Sequence, residues 1–172
     1  RRSSDLYQKR SLLHISRNVK MKVVKNSSIL TSNEVLYKIN MGRMDARGNV
    51  KTRSVSKVSG DKILIDADRA ISWTKMNETK YFGNVNGKVI RRRVYEDPVL
   101  FKSNKLYLKM DDHLISLSGN VELRKQSFKA NARRGNVYLE NYNKKLKYFA
   151  LYDDVKLVEK VNEKIQTLKV AP

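Results

Sequence analysis

The chain contains no cysteine. Disulfide frameworks, thiolate metal sites and cysteine nucleophiles are therefore excluded. Its two histidines, His14 and His113, are far apart in sequence, so local spacing offers neither a histidine metal cluster nor a Ser-His-Asp arrangement. Proline occurs only at Pro98 and Pro172, which leaves long strands free of a residue that cannot donate to a ladder. No apolar run approaches the roughly 20 residues of a membrane-spanning helix; Val23-Val24 and Phe149-Ala150-Leu151-Tyr152 are typical. Acidic residues are scarce, 17 Asp+Glu against 37 Lys+Arg, for a formal net charge of +20. That imbalance calls for an anionic partner, whether nucleic acid, acidic lipid headgroups or a phosphorylated glycolipid. What the chain does have is apolar content: 40% of 172 residues, enough for one domain that buries about two-thirds of the surface its unfolded chain exposes.

A repeat organises these residues. Gly-Asn-Val recurs at Gly48-Asn49-Val50, Gly83-Asn84-Val85 and Gly119-Asn120-Val121, with Asp153-Asp154-Val155 as a fourth copy, at spacings of 35, 36 and 34 residues. A small residue followed by Asn or Asp precedes each copy: Ser32-Asn33, Ala67-Asp68, Ser103-Asn104 and Ala130-Asn131. In the first three units the two motifs stand 16 residues apart, and in the fourth 23, which implies an insertion of about seven residues, expected around Arg133-Arg134-Gly135-Asn136. Gly135-Asn136-Val137 is off period, and is either a bulge or a decoy. Residues 1–27 match no repeat.

Within each unit the apolar residues recur at every second position. Ile115, Leu117, Val121 and Leu123 share one face and Ser116, Ser118, Glu122 and Arg124 the other, the pattern of a half-buried strand. Phe149, Leu151, Val155 and Leu157 repeat it, and Leu106, Leu108 and Met110 alternate with Tyr107 and Lys109. Turn-forming residues separate the paired strands at Asn40-Met41-Gly42-Arg43, Lys75-Met76-Asn77-Glu78, Asp111-Asp112-His113 and Asn141-Tyr142-Asn143-Lys144, so each unit is a β-hairpin. The glycine inside each second strand permits the bend that a strand needs to pass from one sheet to a facing one. The second unit departs from the pattern, because Ile71 and Trp73 are apolar where Ala70, Ser72 and Thr74 hold the matching positions. A weak helical pattern covers Leu6 to Ile15.

The repeated unit, clearest in IDADRAISWTKMNETKYFGNV (65–85) and FKSNKLYLKMDDHLISLSGNVEL (101–123), resembles the OstA-like family of lipopolysaccharide-transport proteins. The resemblance implies an all-β, incompletely closed β-jellyroll of two facing antiparallel sheets, built from hairpins of about 35 residues. It divides the chain into an N-terminal extension (1–27: a strand, short helix or partner arm), the jellyroll (28–160) and a C-terminal edge or tail (161–172). It further implies a non-enzymatic carrier in a Gram-negative envelope, needing no cofactor and no metal, whose apolar groove shields acyl chains. Its partners would be lipopolysaccharide and other transport proteins joined through edge strands, with head-to-tail homo-oligomers. The implied compartment is the periplasm, as a free bridge protein or as a subunit tethered to the inner membrane by a segment preceding Arg1.

On that reading Leu106, Leu108, Leu117, Val121, Leu123, Phe149, Leu151, Val155 and Leu157 form the lipid-binding seam. Arg91, Arg92, Arg93, Arg133, Arg134, Lys144 and Lys145 are placed at its anionic headgroups, where paired oxygens favour arginine. No catalytic residue is assigned. Two other classes stay open: a basic β-protein binding nucleic acid or another polyanion through surface Lys and Arg, and an assembly protein that polymerises by strand pairing. Nucleic acid is disfavoured as a partner, since no known binding signature is present and the aromatic residues do not cluster beside the basic runs.

Overall fold

Strict alternation, few prolines and closely spaced turns produce a meander of antiparallel strands. In chain order these are β1 (Leu12–Val23), β2 (Ser28–Lys38), β3 (Arg43–Val55), β4 (Lys62–Trp73), β5 (Glu78–Ile90), β6 (Val99–Lys109), β7 (Leu114–Lys125), β8 (Phe128–Tyr138), β9 (Phe149–Tyr152), β10 (Lys156–Val161) and β11 (Lys164–Lys169). The structure, a computed structural model, describes residues 12–23, 27–56, 60–92, 97–126, 128–139, 149–161 and 164–169. Sequential strands pair from β1 to β8; β8 then pairs with both β9 and β10, and β10 with β11. Among the described residues β1 and β11 are not joined, so the sheet is open.

Every strand pair from β1 to β8 breaks register once, near its middle. The cause is one extra residue at each Gly-Asn step, where two successive residues take left-handed backbone: Gly48 and Asn49 at φ 79° and 47°, Gly83 and Asn84 at 76° and 46°, Gly119 and Asn120 at 79° and 47°. Such a bulge turns the strand sharply. Glycine serves at the first position for a second reason, since a Cβ on Gly83 would lie 2.6 Å from Asp68 Oδ2 on the facing strand, and one on Gly48 2.4 Å from Asn33 Nδ2. The small-Asn/Asp motif and the Gly-Asn-Val motif are thus two halves of one corner.

Two further corners complete the column. Asp153 and Asp154 take φ 63° and 52°, so β9 and β10 are the two arms of one bent strand, as the fourth copy of the motif predicts. Arg17 and Asn18 take 69° and 50° before a buried Val19, so β1 carries the same corner although residues 1–27 show no repeat in sequence. The helical pattern over Leu6–Ile15 gives way to strand from Leu12; residues 6–11 lie outside the described residues. The column folds one continuous sheet into two facing layers. The first layer comprises 12–16, 34–38, 43–47, 69–73, 78–82, 105–109, 114–118, 134–138 and β9; the second comprises the remaining strand halves. Tyr81 of the first layer donates to Thr52 Oγ1 of the second, at 2.8 Å, across the interior.

The fourth unit is set differently from its sequence reading. Gly135 pairs in register with Leu117 and Leu151, so Gly135-Asn136-Val137 is a decoy. β8 is unbroken from Phe128 to Tyr138, and the extra residues therefore follow it instead of interrupting 133–136. The residue opposite the last corner is Arg133, whose N–H donates to the Asp153 carbonyl at 3.0 Å, not Asn131. In the second unit no bulge precedes the turn: Ala70 faces inward, pairing with Tyr81, while Ile71 packs on the outer face opposite Asp45 and Lys80. The small Ala70 leaves room for the large buried Tyr81 ring beside it.

Candidate functional site

The interior between the layers is built by the inward set of every strand. Leu106, Leu108, Leu117, Val121 and Leu123 are each at most 3% exposed, and Phe149 and Leu151 pack against them. Leu157 pairs with Ala130 on the inward face and is half-buried, as is Val155 just past the last corner. Seven of these nine residues thus belong to one apolar cluster or pack against it, and Val155 and Leu157 are half-buried apart from it. Burying each large aliphatic side chain contributes about 1.5–3 kcal/mol. Gly87, also inward, makes space for the buried Phe101 ring, whose Cε1 lies 2.0 Å from where a Cβ would stand.

Along the roll the interior changes character. Around β6–β8 it is aliphatic and aromatic except for the buried Ser103, which donates to the Lys105 carbonyl at 2.8 Å, whereas around β2–β5 hydroxyl groups enter it in satisfied pairs: Ser28 with Ser54 at 2.7 Å, Ser72 with Thr79 at 3.0 Å, and Tyr81 with Thr52. Burial pushes the Tyr81 hydroxyl up to about 12. A cavity of about 50 Å³ lies among Ser28, Thr52, Ser54, Met44, Leu108 and Met110. It has room for a few waters, and the large side chains of the interior are almost wholly buried.

Because the corners join the layers along one side, the strand ends of the two layers lie along the opposite side, here called the mouth of the roll. A clasp crosses this mouth. Arg91, at the end of β5, donates to Asp61 Oδ2 at 3.0 Å, to the Tyr138 carbonyl at 3.3 Å and to the Leu139 carbonyl at 3.5 Å. The Arg92 N–H donates to Asp61 Oδ1 at 2.9 Å. Both charged side chains are buried, Arg91 3% and Asp61 9% exposed. Arg91 is thus a structural tie between layers and not the surface headgroup ligand expected of it. A buried guanidinium needs a carboxylate and carbonyls around it, and Asp61 lies thirty residues away in sequence.

The other predicted cations divide between two places. Arg92 is exposed at the mouth. Arg133 and Arg134 are exposed on the opposite side, at the last corner, paired with Asp154 at 2.8 Å and Asp153 at 2.7 Å; the bond from Asp153 raises the Arg134 guanidinium further. Arg93, Lys144 and Lys145 lie outside the described residues. Among the described residues, then, Arg91, Arg92 and the Arg133-Arg134 pair do not share one site.

It gathers other residues instead. On the outer face of the first layer Arg69 lies 5.9 Å from the Phe82 ring, Lys80 5.6 Å from Trp73 and 4.8 Å from Tyr107, Lys109 4.8 Å from Tyr107, and Arg134 5.6 Å from Tyr152. Aromatic residues do cluster with cations here, contrary to the sequence reading. The only sequence signal was that Lys80, Phe82, Lys105, Tyr107 and Lys109 all occupy outward positions of the alternation. On the same face Asp45 takes two bonds from Arg69, at 3.1 and 2.7 Å. Burial alone would raise its carboxyl, but the hydrogen bonds and charges of Arg69 and Arg47 outweigh it and hold the group below the usual range. The Tyr107 hydroxyl donates to Glu78, and that bond, with burial, pushes it up to about 12.

No protein-family model matches the sequence, and no curated protein is similar to it in sequence. Its fold is found among solved structures. The chain superposes on LptH, the LptA-homologous periplasmic component of the conserved lipopolysaccharide-transport device of Pseudomonas aeruginosa, with a TM-score of 0.58 over 86% of this chain and 97% of that one, at 6% identity. The fold expected from the Gly-Asn-Val corners is therefore present, and the chain has the open, folded-over β-jellyroll fold of that lipopolysaccharide-transport component.

Proposed function

We propose that the chain is a non-enzymatic carrier of lipopolysaccharide in the periplasm, holding the acyl chains between the two layers of the roll. The observation that carries this reading is the interior itself: a continuous apolar surface in an unclosed sheet of the LptH fold, bordered by a mouth that is tied across by a side chain rather than by strand pairing. Because the interior is packed shut, acyl chains enter by parting the layers at the mouth. Leu106, Leu108, Leu117, Val121, Leu123, Phe149, Leu151, Val155 and Leu157 then exchange contacts with one another for contacts with lipid, at little net change in apolar area exposed to water. Arg92, exposed at the mouth, supplies positive charge to the polar part of the lipid there, with Arg93, Lys144 and Lys145 as further cations of the chain, whereas Arg133 and Arg134 are engaged at the last corner. Among the described residues β1 pairs on one edge only, and an unpaired edge is a template for a further strand. Pairing it to the far end of another copy or of another transport protein is a heterologous contact that extends head to tail.

The test is binding of labelled lipopolysaccharide and, in parallel, of duplex DNA across a salt series. The carrier reading expects lipid binding to survive high salt while DNA binding is lost. Binding to both that collapses together would leave only the +20 charge acting and would overturn it.

A further inference from the structure

The cation and aromatic residues of the outer face are not scattered. The strand register aligns Phe82, Lys105, Ser118, Arg134 and Tyr152 directly across β5 to β9, and places Lys80, Tyr107, Ser116 and Asn136 in the next row. Two walls result, with Lys105 and Tyr107 on β6 and Arg134 and Tyr152 on β8 and β9. Between them the short Ser116 and Ser118 of β7 and Asn136 of β8 form a floor of hydroxyl and amide groups. At the usual strand separation β6 and β8 stand about 10 Å apart, the width of a trough open to solvent. Among the described residues no Asp or Glu lines it, although Arg134 is paired with Asp153 and the Tyr107 hydroxyl with Glu78 beside it. Packing within one domain does not require three cations, one exposed and one half-buried tyrosine ring and a polar floor on the solvent side of a sheet.

We propose that this trough is a second binding site, for a phosphorylated saccharide. A sugar ring presents an apolar C–H face to an aromatic ring and hydroxyls around its rim, and its phosphates suit an arginine and lysines held near those rings. The spacing favours a saccharide over a single-stranded nucleic acid. Tyr107 and Tyr152 are three strands apart, about 14 Å, too far to serve as successive platforms for stacked bases. The inference rests on the carrier reading in one respect: the glycolipid held inside would present such a saccharide to the outside of a neighbouring copy or of its own roll.

The experiment titrates the protein with fully deacylated lipopolysaccharide core oligosaccharide, in phosphorylated and dephosphorylated forms, and with an oligothymidylate, following backbone and tyrosine-ring resonances by NMR. The expected result is binding of the phosphorylated saccharide, shifts at Tyr107, Tyr152, Ser116 and Ser118, and at least a tenfold loss of affinity in Ser118→Glu and in Tyr152→Ala. Both substitutions fall on exposed positions, and retained amide dispersion verifies their folds. Undiminished saccharide binding by both variants, or tighter binding of the oligothymidylate at the same residues, overturns the proposal. Acyl-chain capture is scored separately, by cross-linking from Leu117. If saccharide binding stands while that cross-link fails, the trough stands and the carrier reading falls.

Discussion

Replacing Arg91 by methionine tests whether the mouth of the roll is tied as described. Methionine keeps the aliphatic length but removes the donors to Asp61 and to the Tyr138 and Leu139 carbonyls. Asp61 is then left buried without the guanidinium that balances its charge, while the Arg92 N–H still donates to it. Breaking a buried pair from one side costs about 3–5 kcal/mol, a large share of the roughly 5–15 kcal/mol by which a domain is stable. With a urea slope of about 2 kcal/mol/M, the midpoint should fall by roughly 1.5–2.5 M. Asp61→Leu should be costly too, for the converse reason. The double variant should lose at least about 1.5 kcal/mol less than the sum of the two, because no uncompensated charge remains. Hydrogen exchange locates the effect: the Leu139 amide, bonded to the His113 carbonyl at 2.9 Å, should lose protection while the Val50 and Val85 amides at the corners keep theirs. An Arg91→Met midpoint within about 0.3 M of the parent, or strictly additive single losses, would refute the clasp.

Three further outcomes follow from the same geometry. Gly83→Ala should destabilise by about 1–3 kcal/mol by urea unfolding, from a left-handed alanine and its contact with Asp68; a change under about 0.5 kcal/mol would mean that the corner is not strained by a Cβ. Gly87→Ala should cost about as much by overpacking against the Phe101 ring, and Gly87→Ala/Phe101→Leu should recover part of the loss; no recovery would contradict the contact. Tyr81, pushed up by burial to about 12 from an ordinary 10.0, holds its proton more tightly folded than unfolded. Its contribution is complete below pH 10 and lost as the pH rises through about 12, so the stability gap between the parent and Tyr81→Phe should narrow by up to roughly 3 kcal/mol over that window. Parallel stability curves would refute this.

The corners were legible because a left-handed pair of residues has a narrow chemistry: Gly-Asn serves at three of them and leaves a periodic trace. The outer corners are built from other residues, and only the last of them keeps the period. At the last corner aspartates replace Gly-Asn and an arginine replaces the facing Asn, so Arg133 and Arg134 neutralise Asp154 and Asp153. Asn131, two residues earlier, then imitates the motif. At the first corner Arg17-Asn18 carries left-handed backbone with no glycine to announce it. The interior was legible from alternation alone, since a period of two assigns faces without reference to any neighbour. The clasp and the trough were not, because each joins residues by register. Arg91 reads as part of a solvated basic run until Asp61 and the end of β8 are placed beside it, and Lys105 and Tyr152 become neighbours of Arg134 only through β7 and β8.

The central claim is that lipid occupies the space between the layers. A photo-reactive phenylalanine analogue placed singly at Leu117, Leu123 or Leu151, which face inward, and at Glu122 or Arg124, which face outward on the second layer, tests it during exposure to lipopolysaccharide. The account predicts strong cross-links from the three inward positions and little from the two outward ones. Equal cross-linking from both sets, in variants that fold, would place the lipid on the surface and contradict it.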